Sequence, residues 1–170
     1  MRFRPIGSQS SLDYGVGRGW NTHAPGAAVT NMELTDALTT ARENRESVLT
    51  TIRRNGRPQL SNVLHAVGED GLIRISTTAD RAKFKNLERE PWASLHVNAG
   101  NHWSYAVIEG DVTLSSVASD PTDDAVEELV ELYRSLAGEH DDWDDYRAAM
   151  VAERRAVVRI SPTRAYGALR

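Results

Sequence analysis

After about thirty residues without apolar periodicity, the hydrophobic positions settle into short alternating runs punctuated by turn residues, and later into helical spacing. Thr30-Asn31-Met32-Glu33 has the spacing of a capping box, and Leu34, Leu38 and Ala41 follow at helical intervals, which predicts a first helix. Residues 47–53 alternate as a strand, Asn55-Gly56 marks a hairpin, and residues 57–67 return. Glu69-Asp70-Gly71 turns the chain into a strand over 72–77, and a helix over 79–89 stops before Pro91. Strands follow at 93–97, 103–108 and 111–114, with a turn at 98–101 and a passage through Glu109-Gly110. Over residues 122–136, Val126, Leu129, Val130, Leu132, Tyr133 and Leu136 form one broad apolar helical face, ended by Gly138. A helix over 141–153 and a closing strand over 156–160 complete the pattern. Some six short, mainly antiparallel strands with flanking helices predict an α+β domain built on a closed or split β-barrel.

The periodicity also divides the chain. Residues 1–30 are rich in Gly, Ser and Pro and predict a flexible arm. An over-extended start is the other reading, with Met32 as the true first residue. Residues 31–170 make the single domain, and no repeat or second domain is indicated.

Composition narrows the chemistry. The chain has no cysteine, which excludes disulfides, thiolate metal sites and cysteine nucleophiles. A net charge of −4 argues against a nucleic-acid binder, but the charge is unevenly placed. Residues 53–89 hold eight Arg or Lys against four Asp or Glu, a net of +4 that leaves −8 for the remainder. A locally basic segment in an acidic protein suits a discrete anionic ligand better than a long polyanion. No apolar run approaches the length of a membrane span and no secretory h-region follows Arg2 and Arg4, so a cytoplasmic location is expected.

Several catalytic signatures are missing. The sequence contains no G-x-G-x-x-G after a strand, no P-loop, no H-E-x-x-H and no G-x-S-x-G. The five histidines lack metal-ligand spacing, and His65 and His96 fall in predicted strands. The acidic run at 139–145 lacks the glycine and terminal glutamate of a calcium loop, and suits a helix N-terminus instead. No metal site is expected.

Three segments remain as candidates. The two lysines, Lys83 and Lys85, stand against eighteen arginines and fall together in Arg81-Ala82-Lys83-Phe84-Lys85-Asn86, where a strand ending in Ser76-Thr77-Thr78 passes into a helix. Cations at a helix N-terminus oppose the macrodipole unless an anion lies between them and the free N–H groups. A phosphate or carboxylate site is one reading; a solvated basic face neutralised by Asp80 and Glu88 is the other. Gln59 and Ser61 share one face of the strand after the hairpin, with Asn62 on the opposite face, and can read the edge of a heterocycle or simply meet solvent. Trp103 and Tyr105 fall on one face of a predicted strand, as a stacking wall or as barrel core.

Taken in order, GRPQLSNV, the RAKxxNL run after a hydroxyl-ended strand, WSYAVxEG and ELYRSLAGEHDDWDDYRAAM resemble the flavin- and deazaflavin-dependent oxidoreductases of the pyridoxamine-phosphate-oxidase-like split-barrel superfamily. Within it, residues 32–167 are most similar to the actinobacterial branch that uses coenzyme F420, an 8-hydroxy-5-deazaflavin. The resemblance implies a six-stranded split barrel acting as a homodimer with two cofactor sites at the subunit interface. It implies that Arg81 and Lys83 bind the cofactor phosphate, with the Ala82 amide and Asn86 beside them. Gln59, Ser61 and Asn62 would border the ring with Ser76 and Thr77, and Trp103 and Tyr105 would close the site, from the other subunit. Asp80 stands where close relatives often have proline, so an acid adjoins the anion site.

A tail with a phosphodiester and a glutamate matches the basic segment, and Arg53, Arg54 and Arg57 are candidates for its outer carboxylates. The implied function is hydride transfer from reduced coenzyme F420 to a small conjugated organic substrate, with no metal and no protein nucleophile. The proton donor is left open between solvent and Tyr105. The alternatives are an FMN-dependent oxidase-like enzyme, a non-catalytic protein that carries the deazaflavin, and a cofactor-free interaction module.

Overall fold

The computed structural model describes residues 30–101 and 103–169. The predicted arm over residues 1–30 falls, but for Thr30, outside the described residues. In chain order the elements are β1 (Thr30–Met32), α1 (Leu34–Glu43), β2 (Glu46–Ile52), β3 (Pro58–Leu64), β4 (Ala66–Val67), β5 (Ile73–Thr78), α2 (Ala82–Arg89), β6 (Trp92–Asn98), β7 (Tyr105–Leu114), α3 (Asp124–Ala137), α4 (Trp143–Ala152) and β8 (Arg155–Ala168).

All strand pairs are antiparallel, in the order β3-β2-β6-β7-β8-β5-β4, with β1 added on β8. The sheet curls into a half-barrel, and the class is α+β as expected. Among the described residues there are eight strands against the expected six, because the short β1 and β4 pair with β8 and β5. Thr30 is therefore not a helix cap. It pairs with Gly167, and Glu33 occupies the N-cap of α1 without a side-chain hydrogen bond. The expected pair of strands at 103–108 and 111–114 is one strand, β7, carried through a bulge at Glu109/Gly110. Gly110 is required there, since a Cβ would lie 2.3 Å from the Ser161 carbonyl oxygen. The β2–β3 hairpin turns through Gly56 at φ +75°, as Asn55-Gly56 predicts.

Alternation sorts the side chains into two cores. Leu49, Ile73, Ile75, Leu95, Ile108 and Ile160 fill the inside of the curl, where Ala37 and Ala41 of α1 close against them. On the far side of β8 and β5, Val126, Leu129 and Leu132 of α3 pack with Met150 of α4 on Val157. β8 is thus covered on both faces along its first half, which explains its run of Ala156, Val157 and Val158. Glu128 fixes α3 at this surface by accepting from Arg74 Nε at 3.1 Å and from Arg159 Nε at 2.8 Å.

The acidic segment after α3 has a structural use. Asp142 caps α4 by accepting from the Asp145 N–H at 3.0 Å. Tyr133, His140, Trp143 and Tyr146 gather into one aromatic cluster, with ring centroids 5.0–5.7 Å apart. His65 is fully buried between β3 and β4, not within a strand as expected. Its ring bonds the Ser47 hydroxyl at 2.9 Å and the Ala41 carbonyl at 3.0 Å, which joins α1 to β2.

Candidate functional site

The strand-to-helix passage predicted from residues 76–86 forms at one end of the half-barrel. β5 ends at Thr78, whose carbonyl accepts from the Arg81 N–H at 3.1 Å, and α2 opens immediately afterwards. Arg81 occupies the N-cap without a side-chain cap, and no acid lies in the first turn. Lys83 is half-buried. Its burial, together with the neighbouring Arg81 charge, holds its ammonium below the ordinary lysine range. Two cations and the free N–H groups of the helix start thus converge with no acid in the first turn of α2 to offset them; the acid of that helix, Glu88, stands in its last turn.

Asp80 does not cap α2. Its exposed carboxylate accepts from the Thr78 hydroxyl, and that bond, helped by Arg81 and Lys85, holds it below the usual carboxylate range.

The residues of β5 part company. Thr77 points inward and is buried, and its Oγ1 has no hydrogen-bond partner among the described residues. Ser76 points outward and accepts from Arg155 Nη1 at 3.0 Å. Gln59 and Ser61 face inward from β3. The Asn86 amide donates to Gln59 Oε1 at 2.8 Å and to Thr51 Oγ1 at 3.1 Å, while Arg89 donates to Asn86 Oδ1 at 3.3 Å. Asn86 is therefore a strut between α2, β2 and β3.

Asn62 lies on the outer face of the sheet, registered with Val48, which is registered in turn with His96. These residues line a groove of about 520 Å³ with Glu46, Leu64 and Asn98. Tyr105 belongs to this outer face and stacks on His96, with ring centroids 5.3 Å apart. Trp103 is not on the strand. The loop closes through Ala99 N–H to Ser104 O at 2.8 Å and Trp103 N–H to Asn101 Oδ1 at 2.9 Å, so the ladder starts only at Tyr105. The Trp103 side chain is 68 % exposed.

Nine candidates thus form three groups: Arg81, Ala82 and Lys83 at the start of α2; Gln59, Ser61, Thr77 and Asn86 facing inward; and Asn62 and Tyr105 on the outer face. Ser76, turned to Arg155, and Trp103, in the loop before β7, join none of them. Sequence reasoning missed Thr51, Arg89 and the Arg154-Arg155 turn. The last is brought to the site only by the β5–β8 ladder, which registers Thr78 with Arg155. No helix among the described residues is long and apolar enough to cross a membrane.

Residues 34–168 match the family model described as pyridoxamine 5'-phosphate oxidase. Among solved structures, a protein named F420 reductase is 22 % identical with a TM-score of 0.56, over 75 % of this chain and 93 % of its own. A conserved hypothetical protein from Mycobacterium tuberculosis is 23 % identical with a TM-score of 0.61, over 82 % and 85 % of the two chains. A pyridoxamine 5'-phosphate oxidase-related, FMN-binding protein from Nostoc punctiforme is 18 % identical with a TM-score of 0.55, over 85 % and 84 %. At these identities the structural likeness establishes the fold alone.

Proposed function

Because this chain belongs to the pyridoxamine 5'-phosphate oxidase family, whose members are generally flavin-dependent oxidoreductases, we propose that it is a homodimeric oxidoreductase using coenzyme F420 to reduce a small conjugated organic substrate. The observation that carries this reading is the half-buried Lys83 beside Arg81 at the opening of a helix whose first turn has no acid. A partly desolvated cation next to a like charge is stabilised when a phosphate joins them. The orphaned Thr77 hydroxyl also fits a ligand that brings its own hydrogen-bonding atoms.

In this reading Arg81, Lys83 and the Ala82 N–H hold the phosphate. Gln59, kept in place by Asn86, presents its amide toward the ring with Ser61 and Thr77. Asn62, Trp103 and Tyr105 act across the subunit interface, since they lie on the outer face or in the loop beside it. The cofactor supplies the hydride; the protein positions it, balances its charge and excludes water. Arg53, Arg54 and Arg57 are exposed around the β2–β3 hairpin and form no ion pair with any described residue, which supports an acidic cofactor tail longer than that of FMN.

The test is a side-by-side titration with coenzyme F420 and FMN, followed by turnover of the reduced deazaflavin with a panel of enones. Tighter binding of the deazaflavin, with its reoxidation by substrate, is the expected result. Preference for FMN moves the protein to the FMN-using side of the family. Tight binding without turnover makes it a carrier.

A further inference from the structure

Four of the five described residues with positive φ are glycines; the fifth is Arg154, at φ +53°. A left-handed conformation costs a side-chain-bearing residue free energy that glycine does not lose, and here it ends α4 one residue past the C-cap Glu153. Arg154 lies in the turn from α4 into β8, where its N–H donates to the Val151 carbonyl at 3.0 Å. Its own carbonyl accepts from the Ala79 N–H at 3.0 Å, within the turn that leads into Arg81 and α2.

The neighbouring charges are already committed. Arg155 donates to Glu153 Oε2 at 2.7 Å and to Ser76 Oγ at 3.0 Å. Arg154 is exposed and forms no ion pair with any described residue. Among the described residues the Arg154 guanidinium thus has no ion-pair partner, and its left-handed turn is joined by a backbone hydrogen bond to the lip of the candidate anion site.

We infer that Arg154 is a third cation of the Arg81–Lys83 site and contacts the phosphoryl group of the bound ligand from the β8 side. This rests on the proposed phosphate site. The acyclic part of the ligand would then lie over residues 78–81, between the start of α2 and the α4–β8 turn. The planar fork of an arginine suits two phosphoryl oxygens, which neither lysine nor a backbone N–H can match.

Arg154→Gly separates the two consequences, because glycine relieves the backbone while removing the charge. Wild type and variant are titrated with FMN, coenzyme F420, riboflavin and inorganic pyrophosphate, and their thermal midpoints are recorded without ligand. The expected result is a midpoint raised by about 2–4 °C and affinity for every phosphorylated ligand lowered about tenfold, with riboflavin binding unchanged. If wild type binds neither FMN nor the deazaflavin, the proposed cofactor fails, and the pyrophosphate titration alone then decides the role of Arg154. Equal affinities of the two proteins for all phosphorylated ligands overturn the inference, as does failure of wild type to bind any of them.

Discussion

The side-chain amide of Asn86 donates to Gln59 Oε1 at 2.8 Å, which ties the helix that opens at the candidate phosphate site to the strand that presents Gln59. Thr51 Oγ1 takes the second amide proton at 3.1 Å, and the residue is buried. Asn86→Ala leaves both partners without their donor, which costs about 2 kcal/mol of stability, read from the urea midpoint at unchanged m-value. Affinity for the cofactor falls with it, because Gln59 and α2 lose their mutual registration.

Lys83→Ala should behave in the opposite way. The ammonium is partly desolvated beside Arg81, so its removal leaves folding stability unchanged or slightly higher. Cofactor affinity falls by about 2 kcal/mol, the value of one charge-assisted contact. Isothermal titration beside a thermal melt separates the two effects; unchanged affinity sinks the phosphate assignment.

A third prediction concerns pH. The His65 ring faces the Ala41 carbonyl through Nε2, which must therefore donate, and Nδ1 accepts from the Ser47 hydroxyl. Burial holds its pKa below the ordinary 6.5. As pH falls below 6.5, the unfolded chain takes up a proton that the folded chain refuses, so stability declines with falling pH and levels off only below the folded pKa. The carboxylates with lowered pKa, such as Asp70 at about 2 with Glu128 also depressed, lose their contributions at lower pH. Stability measured between pH 7 and 5 should slope downward in wild type and flatten in His65→Gln, which keeps polar atoms at the site but cannot titrate.

Local chemistry was readable where one short stretch decides the outcome. Asn55-Gly56 identified the hairpin, Gly138 the end of α3, and the passage from Ser76 to Asn86 the strand-to-helix turn. Period-two alternation also separates Ser76 from Thr77, which lie on opposite faces, although the family resemblance groups them at one ring. What the sequence did not disclose depends on distant partners. Thr30 has the spacing of a cap, yet the ladder with Gly167 claims it for a strand. Trp103 reads as strand until Asn101 closes the loop beneath it. Arg155 reaches Ser76 across 79 positions of sequence, a contact that no local pattern encodes.

The last prediction tests the proposed dimer. β3 presents Leu60 and Leu64 to solvent at 63 % and 55 % exposure, on the sheet face that also carries Val48, His96 and Tyr105. Two apolar side chains this exposed on one strand face favour a covering surface, and a second copy of the same face meets the symmetry of a closed dimer. The double variant Leu60→Glu/Leu64→Glu leaves both cores untouched, since neither residue is part of them. It should melt close to wild type when extrapolated to low protein concentration, yet sediment as a monomer where wild type sediments as a dimer. Asn62 lies between the two leucines, and Tyr105 on the same face. Cofactor affinity should therefore drop together with dimerisation in this variant, even though Arg81, Lys83 and Gln59 are intact. A monomeric variant that binds the cofactor as tightly as wild type would show that one chain holds the whole site, and a monomeric wild type would remove the dimer from the proposal.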